Sequence, residues 1–227
     1  MAVAFNNSTD VATSTGSGTS VSFSYTASSG SDRLLLAASR ENSSKVVSAV
    51  TYAGAALTNA GSTGGIIIWR KIAPATGANT ATFTTPTYSH VHTAVADFTG
   101  ADQTTPLGTQ VTNSGTSNAP ATGSITVPTS GASYGFAFQA YTTGSTDFTA
   151  GTNTTLAGAA HSASTGSKSA GGYSLTTGAL NWSATGSAAW ETLGFPINAV
   201  AVGGGGPFPF HTPPLNGRRT MGANFQG

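Results

Sequence analysis

Charge is what this sequence has least of: eight basic and seven acidic residues in 227. So few ionisable groups leave little material for acid–base, metal or phosphate chemistry. The formal net charge of +1 gives no electrostatic case for nucleic acid or an anionic membrane as partner. Cysteine is absent, which excludes disulfides and thiolate metal sites in any compartment. No apolar run approaches the ~18 residues of a membrane helix. The start, Met1-Ala2-Val3-Ala4-Phe5-Asn6, has no basic region followed by an apolar stretch, so no secretory signal is expected. There is no phosphate-binding loop of the Walker type, no dinucleotide fingerprint and no Cys-based zinc pattern. No cofactor, metal or catalytic residue is expected, and the chain does not read as an enzyme.

What fills the space is hydroxyl and glycine: 66 Ser and Thr, and 30 Gly. With 38 % hydrophobic residues there is still enough apolar material for a sizeable core. Helical periodicity is scarce, while period-2 alternation is common, as in Val21, Phe23 and Tyr25 set among serines. Residues 33–39 form an apolar run between Asp32 and Arg40, as in a strand covered on both faces. Further strands are expected at 46–53, 65–72, 80–84, 90–98, 108–112, 122–127, 133–141, 172–180 and 188–198. Turn clusters such as Ser29-Gly30-Ser31-Asp32 separate them. The weaker stretch 142–171 reads as loops around one short strand. The spacing predicts an all-β fold, a single two-sheet antiparallel sandwich of jelly-roll type over residues 1–202.

His90 and His92 share one strand face and can hold a metal with a third ligand such as Asp97 or Asp102; two histidines on a polar sheet face is the preferred reading. No pair among Asp10, Asp32, Glu41, Asp97, Asp102, Asp147 and Glu191 is marked as glycosidase-like. Glu191 beside Trp190 suggests a sugar platform, but placement near a strand end explains it as well. Trp69, Trp182 and Trp190 are expected in the core. The run Thr82-Phe83-Thr84-Thr85 has the look of an ice-binding face but lacks a short repeat.

The composition changes after Val202. Gly203 to Gly206 are four consecutive glycines, followed by Pro207-Phe208-Pro209-Phe210-His211-Thr212-Pro213-Pro214. Residues 203–227 read as a hinge and an extended C-terminal arm. Phe208, Phe210 and Phe225 are expected to seat in a partner, with Arg218 and Arg219 pairing with its acids.

Four segments in order carry a resemblance. They are Val50–Thr58 (Val-Thr-Tyr-Ala-Gly-Ala-Ala-Leu-Thr), Trp69–Gly77 (Trp-Arg-Lys-Ile-Ala-Pro-Ala-Thr-Gly), Phe98–Gly108 (Phe-Thr-Gly-Ala-Asp-Gln-Thr-Thr-Pro-Leu-Gly), and Gly172-Tyr-Ser-Leu continuing to Leu180-Asn-Trp-Ser and Ala188-Ala-Trp190. Over about residues 46–198 this order resembles a β-sandwich module that recurs in virion proteins of tailed phages and in some bacterial surface proteins. The resemblance implies a non-enzymatic virion structural protein, a capsid decoration or cement protein assembled in the host cytoplasm. Its partners would be other virion proteins, the major capsid protein or tail proteins, and a homo-oligomer is expected. A tail or fibre component, or a bacterial adhesin or carbohydrate-binding domain, are the alternatives.

Overall fold

In the computed structural model the described residues are 1–13, 19–41, 46–86, 90–140, 148–158, 161–162 and 167–201. They contain no helix; every regular element is a β-strand. The first sheet is ordered β1 (Ala4–Thr13), β9 (Val91–Thr99), β3 (Leu34–Glu41), β7 (Ile66–Ile72) and β6 (Thr58–Thr63). The second is ordered β10 (Val111–Ser117), β17 (Ala188–Ile197), β11 (Ala132–Gln139), β15 (Lys168–Ser174) and β13 (Thr155–Leu156), with β14 (His161–Ser162) also on β15. The third is ordered β2 (Ser20–Ala27), β8 (Gly77–Thr84), β4 (Ala49–Tyr52) and β5 (Ala55–Ala56). A two-stranded piece pairs β12 (Thr149–Ala150) with β16 (Trp182–Ser183). Every strand pairing is antiparallel, so the all-β antiparallel sandwich expected from the sequence is there.

The stacking goes beyond two layers. Successive strand residues point to opposite faces, and on β3 both sets are buried. Leu34, Leu36 and Ala38 join Phe98 of the first sheet and Tyr134, Phe136, Leu193 and Phe195 of the second in one core. Leu35 and Ala37 join Trp69, Val91 and Val95 with Val21, Tyr25, Val50, Tyr52 and Phe83 of the third sheet in another. The first sheet is therefore the middle of the sandwich, and its inner strands β3 and β7 hold near-continuous apolar runs, Leu34–Ala38 and Ile66–Trp69. That habit is usual for parallel sheets; here it follows from cover on both sides. The second sheet is covered too: Ala137 and Ala170 on its far face pack with Ile125, Phe148, Leu180 and Trp182. Trp182 needs room there, and Gly172 supplies it, since a Cβ would lie 2.9 Å from the indole ring. The third sheet keeps one face open, and β2 shows it in its alternation of exposed serines with buried Val21, Tyr25 and Ala27.

Several local expectations shift. Residues 122–127 form no strand but one isolated bridge, at Ile125, with another just before them at Ala121, because this stretch covers the second sheet rather than joining it. β10 is displaced to 111–117, and β1 and β6 had no clear sequence signal. Val50–Thr58 holds a tight hairpin whose turn residues Ala53 and Gly54 both have positive φ, 52° and 75°, as a two-residue primed turn requires. The chain does not fold back at Gly77 as a hairpin. β7 lies in the first sheet and β8 in the third, so this connection crosses between layers.

One buried charge pins the first sheet to the third. The Asp97 carboxylate accepts from the Tyr25 hydroxyl at 2.5 Å and from the Ser28 N–H at 3.2 Å. Burial, then the hydrogen bond to Asp97 and its charge, holds the Tyr25 hydroxyl above the usual tyrosine pKa of about 10. The fold thus favours the neutral phenol. Its contribution is complete below the unfolded value and is lost as pH rises past about 10, where the unfolded chain ionises first. Urea midpoints measured from pH 8 to 11 should fall more steeply for the wild type than for Tyr25→Phe. Tyr25→Phe should also be less stable at neutral pH, by about 1–3 kcal/mol, with the carboxylate short of a donor. Parallel pH profiles would contradict this role for Tyr25.

Candidate functional site

The strands end in two places, and the ends differ. At one end, β3 closes with Arg40 and Glu41, β9 opens after His90, β11 closes with Gln139, β15 opens with Lys168 and β17 brings Trp190 and Glu191. The registers Arg40↔His92, Gln139↔Lys168 and Phe138↔Glu191 hold these residues side by side. Arg40, facing the second sheet, pairs with Glu191 across the layers, and its guanidinium lies 4.5 Å from the centre of the Phe138 ring. Glu191 also accepts from the Gly65 N–H at 3.3 Å. An opening of about 200 Å³ sits here, lined by Arg40, Ser114, Phe138, Ala140, Ala189, Trp190 and Glu191.

His92 is 1 % exposed, and its ring nitrogens meet Ser169 Oγ at 2.9 Å and Ser167 Oγ at 3.0 Å. His90 is buried as well. The polar sheet face expected for this pair does not exist, because β9 lies between β1 and β3 with cover on both sides. Nor do the suggested third ligands join them. Asp97 alternates to the face opposite His92, and Asp102 lies beyond the far end of β9. There it accepts from the Thr104 and Thr105 N–H groups, each at 2.7 Å, which lowers its pKa. Among the described residues no group of three His, Asp or Glu is placed to hold a metal.

Trp69 and Trp182 are in the core, as expected; Trp190 is half-buried. Of the two readings of Trp190 and Glu191, the pleat favours plain strand placement over a sugar platform. Glu191 faces the first sheet, while the Trp190 ring covers Gly115 on the other face of the second sheet and donates to Ser117 Oγ at 2.9 Å. Neighbouring strand residues cannot form one platform. Gly131-Ala132-Ser133-Tyr134-Gly135 spells Gly-x-Ser-x-Gly, but Ser133 is fully buried inside β11 with its hydroxyl directed to the Ser174 carbonyl. A nucleophile elbow needs an exposed serine on a strand-to-helix turn.

Sequence reasoning missed most of this end. Arg40 and Glu191 are 151 residues apart, and nothing local marks Glu41 and Lys168 as buried. Both are 0 % exposed, and the Lys168 ammonium donates to the Thr185 carbonyl at 2.7 Å. Arg40→Ala should cost about 1–3 kcal/mol, between the values for exposed and buried pairs. Arg40→Ala with Glu191→Ala should cost less than the sum of the single variants, because each single change strands a half-buried charge. Additive denaturant midpoints would mean that the pair is not coupled.

The other end carries the chain termini of the sandwich. The Val3 N–H bonds the Ser130 carbonyl, Ala199 bridges Ala101, and the Val200 N–H bonds the Gly100 carbonyl. Val200 and Ala201, the last described residues, therefore lie beside the N-terminal residues. Met1 and Leu175, each 57 % exposed, stand at this end. The proposed contact residues Phe208, Phe210, Arg218, Arg219 and Phe225 lie outside the described residues. No family model, curated protein or solved structure matches the chain.

Proposed function

We propose that this protein is a non-enzymatic structural component of a tailed-phage virion, a decoration or cement protein that seats on the shell and reaches a neighbouring subunit with residues 203–227. The ordered segments from Val50 to Trp190, which resemble the virion module and lie within the all-β sandwich, support this reading most. One end uses its ionisable groups to tie layers together: Arg40 with Glu191, His92 with two serines, Lys168 with a backbone carbonyl. The end where the described residues stop carries charged Asp32, Arg33, Arg70, Lys71 and Asp102 together with exposed Met1 and Leu175. A lattice suits such a module, because modest contacts repeated many times hold firmly. The hydroxyl-rich third sheet, with exposed Ser20, Ser22, Ser24 and Thr84, would face solvent outside the shell.

Labelling of particles from the phage that encodes the chain tests the location. Antibody label repeated over the shell is the expected result. Label confined to the tail would support the tail-component alternative, and particles without the protein would refute a virion role.

A further inference from the structure

The edges of the sheets are not alike. An open edge is a row of unpaired N–H and C=O groups, and proteins usually blunt it with charge, proline, a bulge or brevity. β1 and β6, which border the first sheet, are each bulged, between Phe5 and Asn7 and between Asn59 and Gly61. β5 and β13 have two residues each. β2 is long, but the Asn7 side chain of β1 reaches across and donates to its Thr26 carbonyl at 3.0 Å. β10 has none of these devices. Its seven residues, Val-Thr-Asn-Ser-Gly-Thr-Ser, pair with β17 in unbroken register from Val111↔Gly194 to Ser117↔Ala188. None is charged and none is proline, and residues 112–116 are all exposed. Among the described residues β10 makes no backbone–backbone hydrogen bond outside the β17 ladder; the Ser114 N–H meets only its neighbour's Asn113 Oδ1, at 2.9 Å, a local contact that an added strand would replace.

We infer that β10 is a docking edge for β10 of a second copy of this chain, antiparallel about a two-fold axis through Ser114, joining the two second sheets into one. The strand suits itself. That axis sets Thr112 opposite Thr116, Asn113 opposite Gly115, Val111 opposite Ser117 and Ser114 opposite its own copy. Every pair is small, and no like charges meet. Threonine pairs across antiparallel strands are favourable, and the main-chain ladder supplies the attraction, as in other cases of strand addition. Gly115 carries the Trp190 ring on one face, so a large side chain there is already excluded. Its place opposite Asn113 leaves the pair uncrowded. The isologous geometry closes at two copies and does not propagate into a fibre. The edge contact is small beside a standard interface, so a reversible, concentration-dependent dimer follows.

The test uses the full chain in sedimentation equilibrium. The wild type should fit a monomer–dimer equilibrium. Thr112→Lys with Thr116→Lys sets two lysine pairs face to face and should weaken dimerisation by roughly a hundredfold. Its circular dichroism should be unchanged, since both positions are exposed. Thr112→Glu with Thr116→Glu should fail alone in the same way. The Lys and Glu variants mixed should form a heterodimer, which a merely misfolded variant could not do. A wild type that stays monomeric at all concentrations overturns the inference. So does a lysine variant that dimerises as before, and so does a mixture that stays monomeric. If the dimer instead disappears on changing Phe208, Phe210 and Phe225 to Ala and persists in the lysine variant, the C-terminal segment joins the copies and β10 does not.

Discussion

Leu35→Ala and Leu36→Ala should each lower the free energy of unfolding by about 2–5 kcal/mol, the range for emptying a fully buried leucine site. The two residues are adjacent and point to opposite faces of β3. In a sandwich of only two layers one of them would face solvent, and its truncation would be nearly silent. Here Leu35 is 1 % exposed in the core shared with the third sheet, and Leu36 is 0 % exposed in the core shared with the second. Ser22→Ala on the open face of β2 is the control and should stay within about 0.5 kcal/mol of wild type. Guanidinium midpoints with a constant m-value would report all three. If either leucine variant matched the control, the first sheet would not be the buried middle layer.

The strand content was legible because period-2 alternation and turn chemistry are local. β7, β9, β11 and β17 fall within a residue or two of their expected bounds. The unbroken apolar run of β3 also announced cover on both faces. The number of layers was less legible, since alternation says which residues are buried but not against which sheet. The crossing from β7 to β8 shows the difficulty: Gly77 and Asn79 carry hairpin chemistry, yet their strands go to different sheets. The polar end was hidden for a related reason. His92, Arg40 and Glu191 acquire their roles from register and stacking, and polarity alone suggested a surface for residues that the second sheet covers. Between the two roles open to Trp190 and Glu191, the pleat decides, since neighbouring strand residues point to opposite faces. The edge character of β10 likewise depends on sheet order, which short Ser/Thr-rich segments do not reveal.

A chain ending at Val202 should keep its fold and lose its place. The cores and layer-tying contacts described above are all made within residues 1–201, so none requires residues 203–227. The melting temperature should therefore change little. The lost segment holds Phe208, Phe210 and Phe225. Seating one such side chain in a partner contributes about 1.5–3 kcal/mol before ordering costs. Two or more of them should change site affinity by at least roughly a hundredfold, at about 1.4 kcal/mol for each factor of ten.

The most direct measurement of the central claim is the copy number of full-length and Val202-terminated protein in purified particles, each supplied to a phage lacking its own copy. The account predicts that full-length protein fills a fixed number of sites per shell, while the shortened protein, still folded by circular dichroism and thermal melting, is nearly absent. Equal copy numbers would show that residues 203–227 do not hold the protein to the particle. Absence of both from the shell would contradict the virion role itself.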